Sequence, residues 1–143
     1  MSAQELAEKV LSKMLSVDGF SAWLGVKVTA LAPGNATCTM SIRKEMLNGF
    51  GTCHGGIAYS LADSALAFAS NSHGRVSVAL DTSMSYPVAV REGDTITAVA
   101  REIKRTENVG FYDVEIKNQN DAVVAVFRGT VYRTKKEFFP EAA

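Results

Sequence analysis

The sequence predicts an α+β domain in which one antiparallel sheet wraps around a long central helix. Three observations carry that reading. Residues 57–72 form a helical segment without proline or internal glycine, and most of its side chains are small. Two strand-like runs precede it, and everything after Gly74 has the alternation and turn chemistry of strands. Small side chains such as Ala58, Ala62, Ala65 and Ala69 let other backbone pack closely on several sides, which a surface helix does not need. A sheet enclosing that helix does need it.

Taken in order, Leu6, Val10 and Met14 recur at a spacing of four, with Leu11 and Leu15 beside them. This marks an amphipathic helix over about 3–17, ended by Asp18-Gly19. From Phe20 the period changes to two, through Ala22, Leu24, Val26, Val28 and Ala30, which predicts a strand. Pro33-Gly34 fits a type II turn, and Cys38, Met40 and Ile42 continue as a second strand. Residues 43–53 form a loop containing Asn48-Gly49 and Gly51, and His54-Gly55-Gly56 leads into the central helix. Leu61, Leu66 and Phe68 give that helix its bulk, and Asn71 and Gly74 suit its end.

In the next strand Val78, Leu80, Met84, Tyr86 and Val88 share one face, and Ala79, Asp81, Ser83 and Ser85 the other. Arg91-Glu92-Gly93-Asp94 is a turn before a β-rich run over 95–103. Asn118 to Asp121 close a hairpin between 111–117 and 123–133. Residues 135–143 read as a loose tail. The whole chain, 1–143, is expected to form a single domain.

Fifteen basic residues balance fifteen acidic ones, so no global basic field argues for nucleic acid. The N-terminus lacks a basic stretch followed by an apolar core, and no apolar run reaches the ~20 residues of a membrane helix. The expectation is a soluble, cytoplasmic protein that binds neither nucleic acid nor membrane. Cys38 and Cys53 fit no metal-binding spacing and read as reduced, structural thiols.

Two features carry chemistry. The backbone N–H groups of Gly55 and Gly56 fall at a helix N-terminus, where unpaired donors and a partial positive charge suit a polarised oxygen. The alternative is a glycine pair that only makes a tight turn. Asp63 sits among Leu61, Ala62, Ala65 and Leu66, where a carboxylate without partners is costly. It is either functional, a structural group bonded to Ser60 or Ser64, or exposed on a polar stripe. His54 reads as a support for its loop, and Asn48 is either a reactive-centre side chain or the Asn-Gly of a turn. A Cys53-His54 nucleophile is disfavoured, because adjacent residues in extended chain point apart. Lys104, Arg105 and Arg101 read as solvated strand-end charges.

The element order resembles the hotdog-fold thioesterases, as do Leu47-Asn48-Gly49, His54-Gly55-Gly56, Leu61-Ala62-Asp63, Arg91-Glu92-Gly93-Asp94, Gly110-Phe111-Tyr112-Asp113 and Phe127-Arg128-Gly129. The likeness runs from about Phe20 to Arg133 and is greatest to the phenylacetate-pathway, PaaI-type branch. The resemblance implies hydrolysis of acyl-CoA, with aryl-acetyl-CoA such as phenylacetyl- or hydroxyphenylacetyl-CoA as the expected substrate. It implies no metal and no redox cofactor. It matches Asp63 to the catalytic carboxylate, Gly55 to the oxyanion donor, and His54 and Asn48 to the lining of the reaction centre. Gly56, Ser64 and Ser83 are the further substrate-binding candidates. The resemblance also implies a homodimer with shared active sites, and commonly a homotetramer. Two other readings compete: a hotdog hydratase or dehydratase acting on acyl thioesters, and a non-catalytic acyl-CoA-binding module.

Overall fold

The computed structural model describes residues 1–142. Helix α1 (Ala3–Leu15) is closed at its start by a capping box. Ser2 Oγ accepts the Glu5 N–H at 3.1 Å, and the Glu5 carboxylate accepts the Ser2 N–H in return at 3.5 Å. The helix stops at Leu15, two residues short of the expected Val17.

The predicted strand from Phe20 is corrected in its first part. Gly19–Leu24 is a short helix, α2. Asp18 accepts the N–H of Ser21 at 3.0 Å and its hydroxyl at 2.7 Å, which starts a helical turn. Gly25, at φ +83°, ends it in the left-handed conformation. The apolar alternation at Phe20, Ala22 and Leu24 was equally compatible with a turn burying Ser21 and Leu24, three residues apart. Strand β1 (Lys27–Ala32) begins only afterwards and pairs with β2 (Asn35–Ser41) across Pro33-Gly34.

Helix α3 (Gly55–Asn71) is followed by β3 (Arg75–Ser85), β4 (Thr95–Arg105), β5 (Val109–Lys117) and β6 (Val123–Glu137). The sheet order is β1-β2-β4-β5-β6-β3, with every pairing antiparallel. One face of this sheet packs on α3. Leu61, Ala62, Ala65, Leu66, Phe68 and Ala69 of the helix join Cys38, Met40, Ile96, Ala98, Val114, Ile116 and Phe127 of the strands in one buried cluster. Each large side chain there contributes about 1.5–3 kcal/mol. Helices α1 and α2 also touch α3.

The face assignment predicted for β3 also needs correction. A bulge between Ala79 and Asp81 inserts an extra residue relative to β6 and reverses the alternation. Val78 opposes the exposed Tyr132, whereas Met84 opposes the buried Phe127. Val78 therefore shares the outer face with Asp81, Ser83 and Ser85, and Ala79, Thr82 and Met84 turn toward α3.

The expected loose tail from Lys135 is likewise corrected. Strand β6 continues to Glu137 because Arg75 of β3 still pairs with it. Beyond it the Phe138 N–H donates to the Gly74 carbonyl at 2.8 Å, and Lys9 and Lys13 hold their ammonium groups 5.0 and 5.1 Å from the Phe139 ring centre. A short turn at Pro140–Ala142 follows. Ala143 lies outside the described residues.

Candidate active site at the start of the central helix

The loop before α3 is closed by Asn48. Its Oδ1 accepts the N–H groups of Phe50 (2.9 Å) and Thr52 (3.2 Å), and its Nδ2 donates to Thr52 Oγ1 at 3.2 Å. An Asx-type turn of this kind is what Asn-Gly chemistry favours. The tip it forms presents Phe50 almost wholly to solvent, at 93% exposure. Cys53 joins the loop to the segment between β3 and β4, its N–H donating to the Val90 carbonyl at 2.7 Å. Burial, then the nearby Asp94 charge, pushes its thiol up to about 11, which keeps it a neutral thiol near pH 7.

His54 is the N-cap of α3. Its Nδ1 accepts the Gly56 N–H at 2.9 Å, and its carbonyl accepts the Ile57 N–H at 3.0 Å. One donor of the first turn is left over. The Gly55 N–H has no hydrogen-bond partner among the described residues. An open donor at a helix start, with the helix dipole behind it, is the arrangement that stabilises a developing oxyanion. A side chain at Gly55 would also be in close contact with a neighbour. A Cβ there would lie 3.3–3.5 Å from the ring and hydroxyl of Tyr86, which follows β3.

Asp63 lies two turns further on. It is exposed, not sunk in the core as its apolar neighbours in sequence would have it, and its carboxylate has no hydrogen-bond partner among the described residues. The helix turns Leu61, Ala62, Ala65 and Leu66 toward the sheet and keeps a narrow open stripe along Gly56, Ser60 and Asp63. Partial loss of solvation still raises the Asp63 carboxyl above its ordinary value.

The remaining candidates divide. Gly56 gives its N–H to His54 and its carbonyl to the Ser60 hydroxyl, which donates at 2.7 Å. Ser64 Oγ lies 2.9 Å from Ser21 Oγ, so it links α3 to α2 and, through Ser21, to Asp18. Ser83 pairs with Arg128 on the outer face of the sheet, because the bulge in β3 has turned it away from α3. The chain does not bring it to the other candidates. Thr82 takes the inward position instead, and its hydroxyl meets that of Tyr59. One residue that sequence reasoning did not single out adjoins the candidate site: Tyr86 donates its hydroxyl to the Gly55 carbonyl at 3.1 Å. Tyr59, which the sequence offers as either pocket lining or core, lies one turn before Asp63. The only sequence signal for Tyr86 was an aromatic residue before Pro87, at the point where the strand must stop.

A cavity of about 290 Å³ opens beside Gly55, lined by Cys53, His54, Ala58, Tyr86 and Val88. A larger hollow, about 500 Å³, lies on the sheet and includes Ser83, Arg101, Asp113 and Arg128. Asp113 and Arg128 already satisfy each other there at 2.7 and 3.1 Å. The smaller cavity is the one adjoining the open donor. Among the described residues no three His, Cys, Asp or Glu side chains converge as a metal-ligand group. No helix is long and apolar enough to cross a membrane.

Residues 50–125 match the thioesterase superfamily. The acyl-coenzyme A thioesterase PaaI of Escherichia coli is 39% identical over 120 residues, which is 84% of this chain and 86% of that protein. The structure of the E. coli PaaI protein from the phenylacetic acid degradation operon superposes with a TM-score of 0.93 at 36% identity, covering 95% of this chain and 99% of the other. A mutant of the phenylacetic acid degradation protein PaaI from Thermus thermophilus gives a TM-score of 0.79 at 41% identity, over 82% of this chain and 100% of that one. A Streptococcus mutans protein bound to acetyl CoA gives 0.76 at 27% identity, over 78% and 90%.

Proposed function

The chain belongs to the thioesterase superfamily, and from that premise we propose that it hydrolyses acyl-CoA thioesters to a carboxylic acid and free CoA. The observation that carries the reading is a pair of groups on one helix that have no hydrogen-bond partner among the described residues: the Gly55 N–H and the Asp63 carboxylate. The first binds the thioester oxygen as it gains negative charge, an interaction worth roughly 3 kcal/mol. The second takes a proton from the attacking water, or itself attacks the carbonyl to give an anhydride that water opens. In either course the C–S bond breaks and CoA leaves as the thiol. His54 serves by holding Gly56, and Asn48 by holding the loop that carries Cys53 and His54.

Each site, in this reading, is shared by two copies. Gly55 and Asp63 lie eight residues apart on α3, which is about 12 Å along a helix axis. One carbonyl cannot take both from the same chain. Strand β3 is an edge of the sheet with Val78 and Leu80 50% and 60% exposed. An open edge of this length and character is a template for a further strand. Antiparallel pairing of two β3 edges about a two-fold axis sets the α3 helices side by side in opposite directions, so Gly55 of one copy faces Asp63 of the other.

The acyl group we propose is aryl-acetyl. This follows the similarity to PaaI proteins of phenylacetic acid degradation and the aromatic groups Phe50, Tyr59 and Tyr86 around the start of α3. Thiol release from phenylacetyl-, hydroxyphenylacetyl- and straight-chain acyl-CoAs tests both levels. The expected result is turnover with the highest kcat/KM on the aryl-acetyl members. A panel that releases no thiol sinks the hydrolase, and a preference for straight chains sinks the acyl assignment alone.

A further inference from the structure

We infer that Tyr86 is a positioning residue for the oxyanion donor, acting through Gly55; the inference rests on the thioesterase reading above. Two consecutive glycines give a thioester close access to the backbone, and they also make this the most pliable point of the helix start. A donor useful in the transition state must already be aimed, because reorienting it during the reaction cancels its benefit. Something therefore has to hold the Gly55-Gly56 segment from outside the helix.

The Gly55–Gly56 peptide is gripped at both ends. Its carbonyl accepts the Tyr86 hydroxyl at 3.1 Å, and its N–H donates to His54 Nδ1 at 2.9 Å. The Tyr86 ring also stands directly over Gly55, in the place where a Cβ would come within 3.3–3.5 Å of it. Contact on the face and a bond at the carbonyl together restrict Gly55 φ and ψ, and with them the direction of its open N–H.

Tyr86 is itself anchored. It follows β3, whose last residue, Ser85, pairs with Val126 of β6, and it precedes Pro87, which limits its backbone to extended conformations. A second tie crosses the same gap in the opposite sense, from Tyr59 on α3 to Thr82 on β3. The helix start is thus referred to the edge strand by two phenols. Burial, and then the neighbouring Tyr59, raise the Tyr86 phenol above its ordinary value, so it stays a protonated donor at neutral pH. With 51% of its surface exposed, Tyr86 adds little to the core. A loss of activity on its replacement is therefore separable from unfolding.

Steady-state kinetics of the wild type, Tyr86→Phe, Gly55→Ala and the double variant on one acyl-CoA, with melting curves for each, form the test. Tyr86→Phe keeps the ring and loses the hydroxyl. The expected result is a kcat lowered about threefold to tenfold, with KM changed less than about twofold and Tm almost unchanged. Gly55→Ala makes the Tyr86 ring give slightly and so disturbs the same contact, and the double variant is expected to fall short of the product of the two single effects. The inference is overturned if Tyr86→Phe keeps wild-type kcat, if its loss appears only in KM, if a large drop in Tm accompanies it, or if the single effects multiply. A wild type that turns over while Tyr86→Phe is unaffected rejects this inference alone. A wild type inert on every acyl-CoA rejects the thioesterase reading and this inference together.

Discussion

The C-terminal end of α3 is a closed set of hydrogen bonds, whereas its N-terminal end keeps polar groups open. At the C-terminus Asn71 Oδ1 accepts the Ser77 N–H at 2.8 Å, and Nδ2 donates to the carbonyls of Ala67 and Ser77 at 2.9 and 3.2 Å. Ser72 Oγ accepts the Gly34 N–H at 2.8 Å and donates to Ala69 at 2.6 Å. His73 and Tyr112 converge on Glu102 Oε1 at 2.8 and 2.7 Å. These bonds join the β1–β2 turn, β3, β4 and β5 to one helix end. Away from that end, the Gly55 N–H at the helix start and the Asp63 carboxylate at mid-helix have no hydrogen-bond partner among the described residues. The same helix is an anchor where it is saturated and, in the proposed reaction, offers its groups to substrate where it is not. An unmet donor or acceptor costs least where water reaches it until a substrate replaces that water.

The largest effects belong to the open end. Asp63→Asn is nearly isosteric but neither accepts a proton nor forms an anhydride, and kcat should fall by about 100-fold or more. Gly55→Pro deletes the unpartnered N–H at a first helical position where proline is tolerated, and its ring also presses on Tyr86, so folding and dimerisation of this variant are checked first. His54, at ψ 134°, already has the extended backbone that a following proline requires. Each variant alone should be close to inactive. Co-expressed and randomly paired, they should leave about a quarter of all shared sites without either defect and recover activity toward that fraction. Mixed dimers no more active than their parents would place both groups in one chain's site and break the two-copy reading.

At the saturated end the loss should appear as stability. Asn71→Ala strands the buried Ser77 N–H and removes two further bonds, for a cost of about 3 kcal/mol in urea unfolding. Activity per folded molecule should be retained. If Asn71→Ala instead lowered kcat and left the unfolding midpoint in place, the division between the two ends would fail.

This division was only partly readable in the sequence. The small residues of 57–72 announced an enclosed helix, because side-chain size is a local property. Gly55 and Asp63 were legible from their motif. Their open state was not, since satisfaction depends on what other elements bring. Asp63 looked buried from its sequence neighbours, yet helical geometry turned those neighbours inward and left it outside. Ser83 does share a face with Asp81 and Ser85, opposite Met84; Val78 and Ala79 were the residues misplaced by counting alternation through a bulge that no residue type announced. The helix at Gly19–Leu24 was hidden because apolar alternation over so short a run fits either state. Tyr86 was invisible for a simpler reason: its partner lies 31 residues away.

A smaller effect sharpens the comparison at Asp63. Reduced solvation raises its folded-state carboxyl pKa. The charged form is therefore disfavoured in the folded chain at every pH above that value, and the penalty disappears as the pH falls through it. Asp63→Asn should then melt at or slightly above the wild-type temperature at pH 7, with the gain vanishing in acid. The wild-type rate should rise with pH through a value above the ordinary carboxylate. An Asp63→Asn chain that melts well below wild type at pH 7 would mean the carboxylate is a structural partner.

The smallest predicted effect is the acid sensitivity of the saturated end. Burial lowers the His73 pKa, and Arg105 and Arg133 add to that, against the Glu102 bond and charge, which raise it. The unfolded chain thus binds a proton at His73 near pH 6.5 before the folded chain does, and stability declines as the pH falls from there through the folded value. For Glu102, burial alone would raise the pKa, but the bonds from Tyr112 and His73 and the charges of His73 and Arg105 bring it below the ordinary carboxylate. Its contribution is present above the unfolded glutamate pKa and is lost as the pH falls through the folded one. Melting temperature should therefore descend in two windows, the upper from His73 and the lower from Glu102. The upper decline should be smaller than the loss caused by Asn71→Ala. His73→Gln keeps an amide donor for Glu102 and cannot titrate, so it should flatten the upper window and leave the lower one. If the variant shows the same decline just below pH 6.5 as the wild type, another group carries it, and the His73–Glu102 contact is only packing.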